Sequence, residues 1–535
     1  MNRDDMLARI QKGATWDIVI VGGGATGLGV AIDAASRGFD TLLLEMSDFA
    51  KATSSRSTKL VHGGVRYLQQ GNISLVLEAL QERKRLHANA PHLVSDAPFV
   101  VPTYRWWEKP YYGIGLKVYD LLAGAWGFGS DSGFGVSRLL SRTEALSRIP
   151  TVNPNGLNGG VLYHDGQFDD ARLAVNMAQT AAHHGAALVN YMKVTDLTKQ
   201  NGQITGVVAR DLEKDDEYTI AAEVVVNAAG IFSDTIRQMD DASAPGRMRP
   251  SQGIHVVIDR KHLPGDSAIM IPKTDDGRIL FAVPWHDVVI VGTTDTPIDG
   301  PSLEPRPLPD EIDFVMEHMQ RYLRPAPSRA DVRSIFTGIR PLVSASESGD
   351  TSKISRDHQI SVSDDGLLTI AGGKWTTYRS MAEDTVDRAI DVASLLPRPC
   401  ETHDLRLHGY HEQPDDLGTL SVYGSDAPAL RQLIASDDAY AKRLHPDYPV
   451  QAGQVVWAAR HEMARTVDDV LARRTRMLLR DAQASLDMAP AVAELLADEL
   501  GRSDTWQDDE VRTYRSIAQQ YLPHDATEAA ALPSA

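Results

Sequence analysis

The clearest hydrophobic pattern in the chain lies in residues 17–45. Its first run, DIVIV, is almost entirely apolar and rich in β-branched side chains, which is typical of a strand buried on both faces of a parallel sheet. A glycine turn follows directly, and apolar residues then recur at helical spacing as far as residue 36. A second apolar run at 41–44 ends in Glu45. The pattern predicts a strand, a turn, a helix and a second strand.

The glycine turn has the spacing G-x-G-x-x-G, formed by Gly22, Gly24 and Gly27. The first glycine allows the tight turn, the second lets the backbone approach a pyrophosphate, and the third lets helix and strand pack closely. Glu45, at the end of the second strand, can accept hydrogen bonds from both ribose hydroxyls and would repel a 2′-phosphate. We therefore predict a dinucleotide site that disfavours NADP; a strand–helix–strand unit without a ligand is the alternative.

The remaining pattern divides into sheet and helix regions. A buried strand at 223–227 ends in Asn-Ala-Ala-Gly, and a strand at 367–370 leads through a Gly-Gly-Lys turn into a helix at 376–390. Residues 252–296 alternate as strands typical of an antiparallel sheet, and residues 400–521 are mainly helical. The predicted fold is α/β, with a Rossmann-type dinucleotide-binding domain, an antiparallel-sheet substrate domain and a C-terminal helical domain.

The predicted domains are interleaved along the chain. The dinucleotide-binding domain takes residues 15–100, 161–245 and 356–398; the substrate domain takes 246–355, with 101–160 as its first part or cap; the helical domain takes 399–521, and 522–535 form a disordered tail.

Residues 104–129 are the most aromatic stretch and carry interleaved basic residues. One interpretation is a packed substructure between domains. The other is a membrane-contact patch whose Trp, Tyr and Lys side chains lie at the level of the lipid headgroups. Asp120 and the scattered glycines argue against a long amphipathic helix here.

Composition narrows the function further. The 535 residues suffice for two to four domains at roughly 150 residues each. The net charge of −18 argues against general nucleic-acid binding, so an anionic ligand requires its own cluster of arginines. The single cysteine, Cys400, excludes an internal disulfide or a cysteine-ligated cluster and fits a reducing compartment, and we expect no metal centre. The N-terminus resembles neither a secretory signal nor a membrane anchor, and no apolar run reaches the ~18 residues of a spanning helix.

One dinucleotide turn without a second one for NAD(P)H indicates a single cofactor that stays bound. This favours FAD, with its isoalloxazine at the interface with the antiparallel domain and the redox chemistry supplied by the flavin.

Four motifs connect the chain to a known family. The segments TSSRSTKLVHGGVRYL at 53–68, TGIRP at 337–341, GGKWTTYR at 372–379 and HEMARTVDDVLARR at 461–474 closely resemble the FAD-dependent glycerol-3-phosphate dehydrogenases, which are the quinone-linked respiratory enzymes of bacteria and mitochondria. The resemblance extends from about residue 15 to about residue 520. It implies oxidation of glycerol 3-phosphate to dihydroxyacetone phosphate, electron transfer to quinone, and peripheral attachment to the cytoplasmic face of the inner membrane. A homodimer is left open.

The resemblance also implies roles for individual residues. Substrate phosphate would be held by Arg66, Arg340, Arg356 and Lys374, whose guanidinium and ammonium groups suit an anion, and Tyr67 would orient the substrate or the flavin. A base with a pKa near 7 suits removal of the hydroxyl proton, and the candidates are His255, which we favour, and His62; Arg340 would stabilise the alkoxide. The cofactor-binding residues would be Gly22, Gly24, Gly27, Glu45, Thr53, Ser54, Gly63, Gly64, Ala229, Gly230, Gly372, Gly373, Lys374 and Thr376.

Other interpretations stay open for several of these features. Any one arginine could instead be a solvated ion-pair partner, and Thr293-Thr294-Asp295 could be only a turn. The arginines at 460, 465, 473 and 474 are expected in an ion-pair network with Glu462, Asp468 and Asp469, or else in an interdomain or oligomer contact. The rival functions are a glycerol-3-phosphate oxidase that uses oxygen, a flavin amine oxidase of the same fold, and a flavin-binding protein without turnover.

Overall fold

The structure is a computed structural model that describes residues 1–64, 72–125, 134–272, 274–275, 277–343 and 358–523. These residues form two large sheets with helices packed on them, followed by a C-terminal group of helices. Within them, no helix is both long and apolar enough to cross a bilayer.

The first sheet carries the dinucleotide turn. Its strands lie in the order His358–Val362, Leu368–Gly372, Glu217–Asn227, Trp16–Val21, Thr41–Leu44 and Ala187–Val189, and Met192–Gln200 and Gln203–Asp211 continue it from Glu217–Asn227. The central strands are parallel, with Val21 opposite both Leu44 and Asn227. Three helices, Ala25–Ser36, Asp170–His183 and Tyr378–Ala393, pack on one face around a common apolar core, and Arg3–Gln11 and Ser233–Asp240 cover the other. The predicted α/β architecture is confirmed here.

The second sheet is mainly antiparallel. Its strands lie in the order Thr296–Pro297, Ser251–Asp259, Val288–Gly292, Leu280–Trp285, Ala268–Ile271, Val94–Thr103, Gly159–Phe168 and Leu60–Val61, with Val332–Arg340 beside Ser251–Asp259 and Arg138–Leu140 beside Gly159–Phe168. Ala268–Ile271 and Val94–Thr103 are the parallel pair. The strands at 94–103 and 159–168 thus bring chain from before residue 246 into this sheet, and the domain boundaries above stay a prediction.

Four helices border the second sheet: Ile73–Asn89, Glu108–Ala125, Arg142–Arg148 and Pro309–Tyr322. Residues 108–125 form one continuous helix despite Asp120 and the glycines. Asp120 is accommodated on its flank, where it accepts hydrogen bonds from the Ser137 backbone nitrogen at 2.9 Å and from Lys117 at 3.3 Å.

The C-terminal region is helical, as expected from the sequence. It contains Ala427–Ala435, Asp438–Ala441, Ala452–His461, a π-helical turn Asp469–Arg474, Met477–Arg480, Ala482–Leu500, Asp504–Ala518 and a small strand pair, Arg443–His445 and Tyr448–Gln451. Its core includes Val257, Ile290 and Phe336 of the second sheet, so the two regions share one apolar interior. Residues 455–479 do not form one continuous helix, because the chain leaves the helical conformation at residues 462–466 and again at Arg476, where φ is +65°.

Candidate active site

The dinucleotide turn lies at the carboxyl ends of the parallel strands. Gly22 has φ of +112°, and a Cβ there would lie 2.6 Å from the Ala228 carbonyl oxygen. A Cβ on Gly27 would lie 1.9 Å from the Gly22 carbonyl oxygen. Neither position tolerates a side chain, because the backbone of the neighbouring segment already fills the space.

Gly24 is the N-cap residue of the helix Ala25–Ser36 and supplies no side-chain cap, so the amides of the first turn beyond Ala25 can face a ligand. The nearby Ser54 Oγ accepts a hydrogen bond from the Ala25 backbone nitrogen at 2.9 Å. An uncapped helix N-terminus beside a glycine turn is the donor set that suits a pyrophosphate. The residues therefore fit FAD at this end of the sheet.

A cavity of about 450 Å³ opens beside this turn. Among the predicted cofactor residues, it is lined by Gly22, Gly24, Glu45, Thr53, Ser54, Ala229, Gly230, Gly372, Gly373 and Lys374. We call it the dinucleotide cavity. Sequence reasoning missed other parts of its wall, among them Met192, Lys193 and Trp375.

Glu45 lies in the wall of the dinucleotide cavity. Its carboxylate accepts hydrogen bonds from the backbone nitrogens of Gly23 at 2.6 Å and Ser47 at 2.8 Å. Burial raises the pKa of Glu45 to about 7, although these two hydrogen bonds oppose the shift. Each carboxylate oxygen keeps a further lone pair, so the side chain can still accept ribose hydroxyls.

A second cavity of about 310 Å³ adjoins the first, and the two share Thr53, Lys374 and Trp375. We call it the substrate-side cavity. His62, His255 and Arg340 line it, as do Gly64 and Thr376, which the sequence assigned to the cofactor. The indole Nε1 of Trp375 donates to the Ser54 carbonyl oxygen at 2.9 Å, which holds the shared wall together.

Arg340 is fixed in the wall of the substrate-side cavity by the strand end at 293–295. Its guanidinium donates to the Thr294 carbonyl oxygen at 2.8 Å, to Thr293 Oγ1 at 3.1 Å and to Asp295 Oδ1 at 3.1 Å. The segment that the sequence left as a turn is therefore the support of Arg340. Space for the guanidinium depends on Gly253, where a Cβ would lie 2.5 Å from Arg340 Nη2.

His255 lies in the same wall and is 3% exposed. Its ring stacks on Phe336 with centroids 4.7 Å apart, and its Nε2 shares a 2.9 Å hydrogen bond with Thr58 Oγ1. Its buried Nδ1 has no hydrogen-bond partner among the described residues. Burial, followed by the charges of Lys59 and Arg340, lowers the pKa of His255 well below its usual range, so the ring is neutral but a weaker base than the pKa near 7 that best suits this step.

The other predicted residues occupy different positions. Gly27 and Gly63 are not among the residues that line either cavity. Gly63 instead lies against Tyr119 and Leu80, where a Cβ would lie 2.3 Å from the Tyr119 hydroxyl. Arg66, Tyr67 and Arg356 lie outside the described residues. Arg278, which the sequence did not single out, also lines the substrate-side cavity.

The expected ion-pair network of the C-terminal arginines is present in part. Arg473 contacts Asp468 at 2.9 Å and Asp469 at 2.7 Å, and both Arg473 and Arg474 contact Asp48, next to the dinucleotide cavity. The other two arginines pair elsewhere, since Arg460 binds Glu499 at 2.6 Å and Arg465 binds Glu213 at 2.7 Å. Glu462 pairs with Arg172 at 2.8 Å rather than mainly with these arginines.

Known proteins resemble the chain over nearly its whole length. Residues 17–379 match the family described as FAD dependent oxidoreductase, and residues 400–507 match the C-terminal domain of alpha-glycerophosphate oxidase. The mitochondrial glycerol-3-phosphate dehydrogenase of Macaca fascicularis is 39% identical, over 100% of this chain and 78% of that protein. The enzyme of the same name from Schizosaccharomyces pombe is 36% identical, over 95% and 88%.

A solved structure shows the same architecture. The glycerol-3-phosphate dehydrogenase from Bacillus halodurans, complexed with FAD, superposes with a TM-score of 0.78 at 29% identity and covers 97% of both chains. FAD is thus the cofactor of this fold, in agreement with the uncapped helix and glycine turn. The chain belongs to the FAD-dependent oxidoreductase family and, within it, to the glycerol-3-phosphate dehydrogenases.

Proposed function

We propose that the protein oxidises sn-glycerol 3-phosphate to dihydroxyacetone phosphate. The observation that carries the proposal is the pair of adjoining cavities, one built for a dinucleotide and the other lined by Arg340, Lys374 and His255. Bound FAD would supply the hydride acceptor, flavin N5. The protein's own residues would bind the anion, orient C2 and accept the hydroxyl proton.

Binding of the phosphate falls to the basic residues of the substrate-side cavity. Lys374 lies where the two cavities meet, and Arg340 lines the substrate-side cavity with its guanidinium held by residues 293–295. Guanidinium forks and a compact ammonium suit a phosphate dianion in a chain whose net charge is −18. On the strength of the sequence motifs, Arg66 and Arg356 are proposed as further phosphate ligands, and Tyr67 as a group that orients the substrate or the flavin.

Removal of the hydroxyl proton falls to His255. The ring is neutral for the reasons given above, and hydride loss from C2 drives the proton of the hydroxyl onto an available imidazole nitrogen. Arg340 would lower the energy of the developing alkoxide. His62 lines the same cavity, and its carbonyl oxygen accepts a 3.4 Å hydrogen bond from Thr376 Oγ1, so we assign it an orienting role beside the substrate.

Anaerobic spectroscopy of the purified holoenzyme tests this function. Glycerol 3-phosphate should bleach the flavin and yield dihydroxyacetone phosphate, and a soluble quinone analogue should restore the spectrum. Bleaching by amino acids instead would identify an amine oxidase, and an unchanged spectrum with every substrate would identify a protein without turnover. Rapid recovery with oxygen and formation of peroxide would identify an oxidase.

The quinone acceptor is proposed from the resemblance of the motifs, and the helix Glu108–Ala125 supports membrane contact. Trp107, Tyr111, Ile114, Val118 and Leu121 recur at helical spacing and are all exposed, with Ile114 at 68% and Leu121 at 69%. Trp106, just before the helix, is 84% exposed. A contiguous apolar face of this kind with aromatic residues at one end fits burial in the headgroup region of a bilayer. We therefore propose peripheral attachment through this face, on the cytoplasmic side of the inner membrane.

Replacement of Trp106, Trp107 and Tyr111 by Ser should release the protein from membranes. Dye-linked oxidation of glycerol 3-phosphate should stay unchanged, because these residues are remote from the linings of both cavities. Sedimentation with phospholipid vesicles measures the effect, and the matched control replaces the exposed Leu212 and Leu396 by Ser on other surfaces. Unchanged pelleting of the triple variant would contradict this attachment site. The homodimer also stays a proposal, for analytical ultracentrifugation of the holoenzyme.

A further inference from the structure

The C-terminal helical region is connected to His255 by hydrogen bonds to Asp170, by the bonds of Asp170 to the two chain neighbours of Thr58, and by the bond between Thr58 and His255. We propose that Thr58 and Asp170 are positioning residues for His255, and that Arg476 of the C-terminal region fixes Asp170 in turn. This inference rests on the proposed role of His255 as the base and adds the residues that hold it.

The first link is the hydrogen bond between Thr58 Oγ1 and His255 Nε2 at 2.9 Å. An imidazole that accepts a proton must be held in one ring orientation, with the nitrogen that does not react engaged by a partner. Phe336 supports the flat face of the ring, but stacking alone leaves the ring free to rotate in its plane. Among the described residues Thr58 supplies the hydrogen bond that the ring makes, and it thereby fixes this rotation.

The second link holds Thr58 in place. Asp170 Oδ2 accepts hydrogen bonds from the Ser57 backbone nitrogen at 3.1 Å and from Ser57 Oγ at 2.7 Å, on one side of Thr58. On the other side, the same oxygen accepts a 2.6 Å hydrogen bond from Lys59 Nζ. Asp170 thus grips both neighbours of Thr58.

Lys59 shows that this grip is tight. Its φ is +63°, a left-handed conformation that is uncommon for residues other than glycine and that persists where the surroundings fix it. Lys59 is fully buried, and its Nζ donates to the Ser55 carbonyl oxygen at 2.7 Å as well as to Asp170. The turn at 57–59 is therefore set by one buried carboxylate.

The third link comes from the C-terminal region. Arg476 Nη2 donates to Asp170 Oδ1 at 2.6 Å and to the Ser55 carbonyl oxygen at 3.2 Å. Arg476 is 2% exposed and follows the π-helical turn Asp469–Arg474. It neutralises Asp170 on the side opposite Lys59 and holds the start of the same segment. Arg476 is not among the residues that line the substrate-side cavity. The C-terminal region therefore contributes to the orientation of His255 through Asp170.

The decisive comparison is between Thr58→Val, which removes the hydroxyl but keeps the shape, and Thr58→Ser, which keeps the hydroxyl. Anaerobic stopped-flow mixing with glycerol 3-phosphate gives the rate of flavin reduction and the dissociation constant of the substrate separately. Thr58→Val should slow reduction by about tenfold, the loss expected from one hydrogen bond that orients a reacting group, with the dissociation constant nearly unchanged. Thr58→Ser should restore most of the rate. The exposed Thr513→Val, in the helix Asp504–Ala518, is the matched control and should reduce at the wild-type rate.

Asp170→Asn, alone and combined with Thr58→Val, tests the second link. If Asp170 acts through Thr58, the double variant should be no slower than the slower single variant, because both substitutions remove one contribution. If instead the losses in rate of the two single variants multiply in the double variant, Asp170 does not act through Thr58. Bound flavin and melting temperature are measured for each variant; if Asp170→Asn does not retain flavin, Ser57→Ala, which removes one of the Asp170 contacts, takes its place in the same cycle.

His255→Gln separates this inference from the proposed function. If His255→Gln reduces flavin at the wild-type rate, the assignment of the base fails, and the positioning proposal fails with it. If His255→Gln is slow while Thr58→Val matches wild type, the base stands and the positioning proposal is wrong. A slow Thr58→Val rescued by Thr58→Ser, together with a slow His255→Gln, supports both.

Discussion

The two adjoining cavities are built in different ways. The wall of the dinucleotide cavity is mostly backbone and small residues from the ends of parallel strands, and its tightest points are glycines. The wall of the substrate-side cavity is mostly functional side chains, such as Arg340, His255 and Thr58, each held by partners from distant segments. The first cavity therefore depends on close backbone approach, and the second on hydrogen bonds between side chains. Substitutions should separate the two, with loss of cofactor in one case and loss of rate in the other.

The largest effect on cofactor content is expected at the glycine turn beside the dinucleotide cavity. Gly27→Ala would place a Cβ 1.9 Å from the Gly22 carbonyl oxygen, so strand and helix must move apart. Overpacking of this kind costs about 1–3 kcal/mol, and bound FAD should fall by about tenfold or more. The flavin absorbance of the purified protein measures it. Gly300→Ala, at an exposed position with open space and no left-handed φ, is the control for a glycine change, and a Gly27→Ala variant with full flavin content would contradict the account.

The largest effect on the rate of flavin reduction is expected in the substrate-side cavity. Arg340→Ala should retain FAD but reduce the rate of flavin reduction by about 100-fold, the usual result of removing one group that stabilises developing negative charge. Absorbance at the flavin band gives cofactor content, and stopped-flow mixing gives the rate. Arg512→Ala, in an exposed ion pair with Asp509, is the control. If Arg340→Ala loses FAD, or if its rate of flavin reduction is unchanged, the two cavities do not have the separate roles described above.

A smaller effect is expected at Glu45, where the dinucleotide cavity does use a side chain. The pKa of Glu45 is raised to about 7, while ribose hydroxyls favour the ionised carboxylate. Binding of FAD must therefore displace a proton below pH 7 and none well above it, so FAD affinity should fall several-fold as the pH drops from about 8 to about 6. Glu45→Gln should abolish most of this dependence. Fluorescence titration of released and rebound FAD across this range measures it, and an equal slope in both proteins would contradict the assignment.

The same contrast explains what the sequence could and could not predict. Gly22, Gly24, Gly27 and Glu45 belong to one continuous segment, whose strand, turn and helix are set by local pattern. The support of Arg340 by residues 293–295 depends on strand pairing that brings residues 45 or more positions apart together, and no local pattern encodes it.

Two further features could not be predicted from the local sequence pattern either. The sequence analysis did not single out Asp170, although this residue joins residues 57, 59 and 476. The helix at 108–125 was disfavoured by Asp120 and the scattered glycines, because a partner of this carboxylate, Ser137, lies 17 positions away in the chain. In both cases the role of the carboxylate depends on tertiary partners that the local sequence does not reveal.

The most direct test of the central claim is a single anaerobic turnover. Holoenzyme mixed with one equivalent of glycerol 3-phosphate should lose its oxidised flavin absorbance and form dihydroxyacetone phosphate in equal amount, because the substrate in one cavity delivers its hydride to the flavin in the other. An unchanged flavin spectrum with no dihydroxyacetone phosphate would contradict the account.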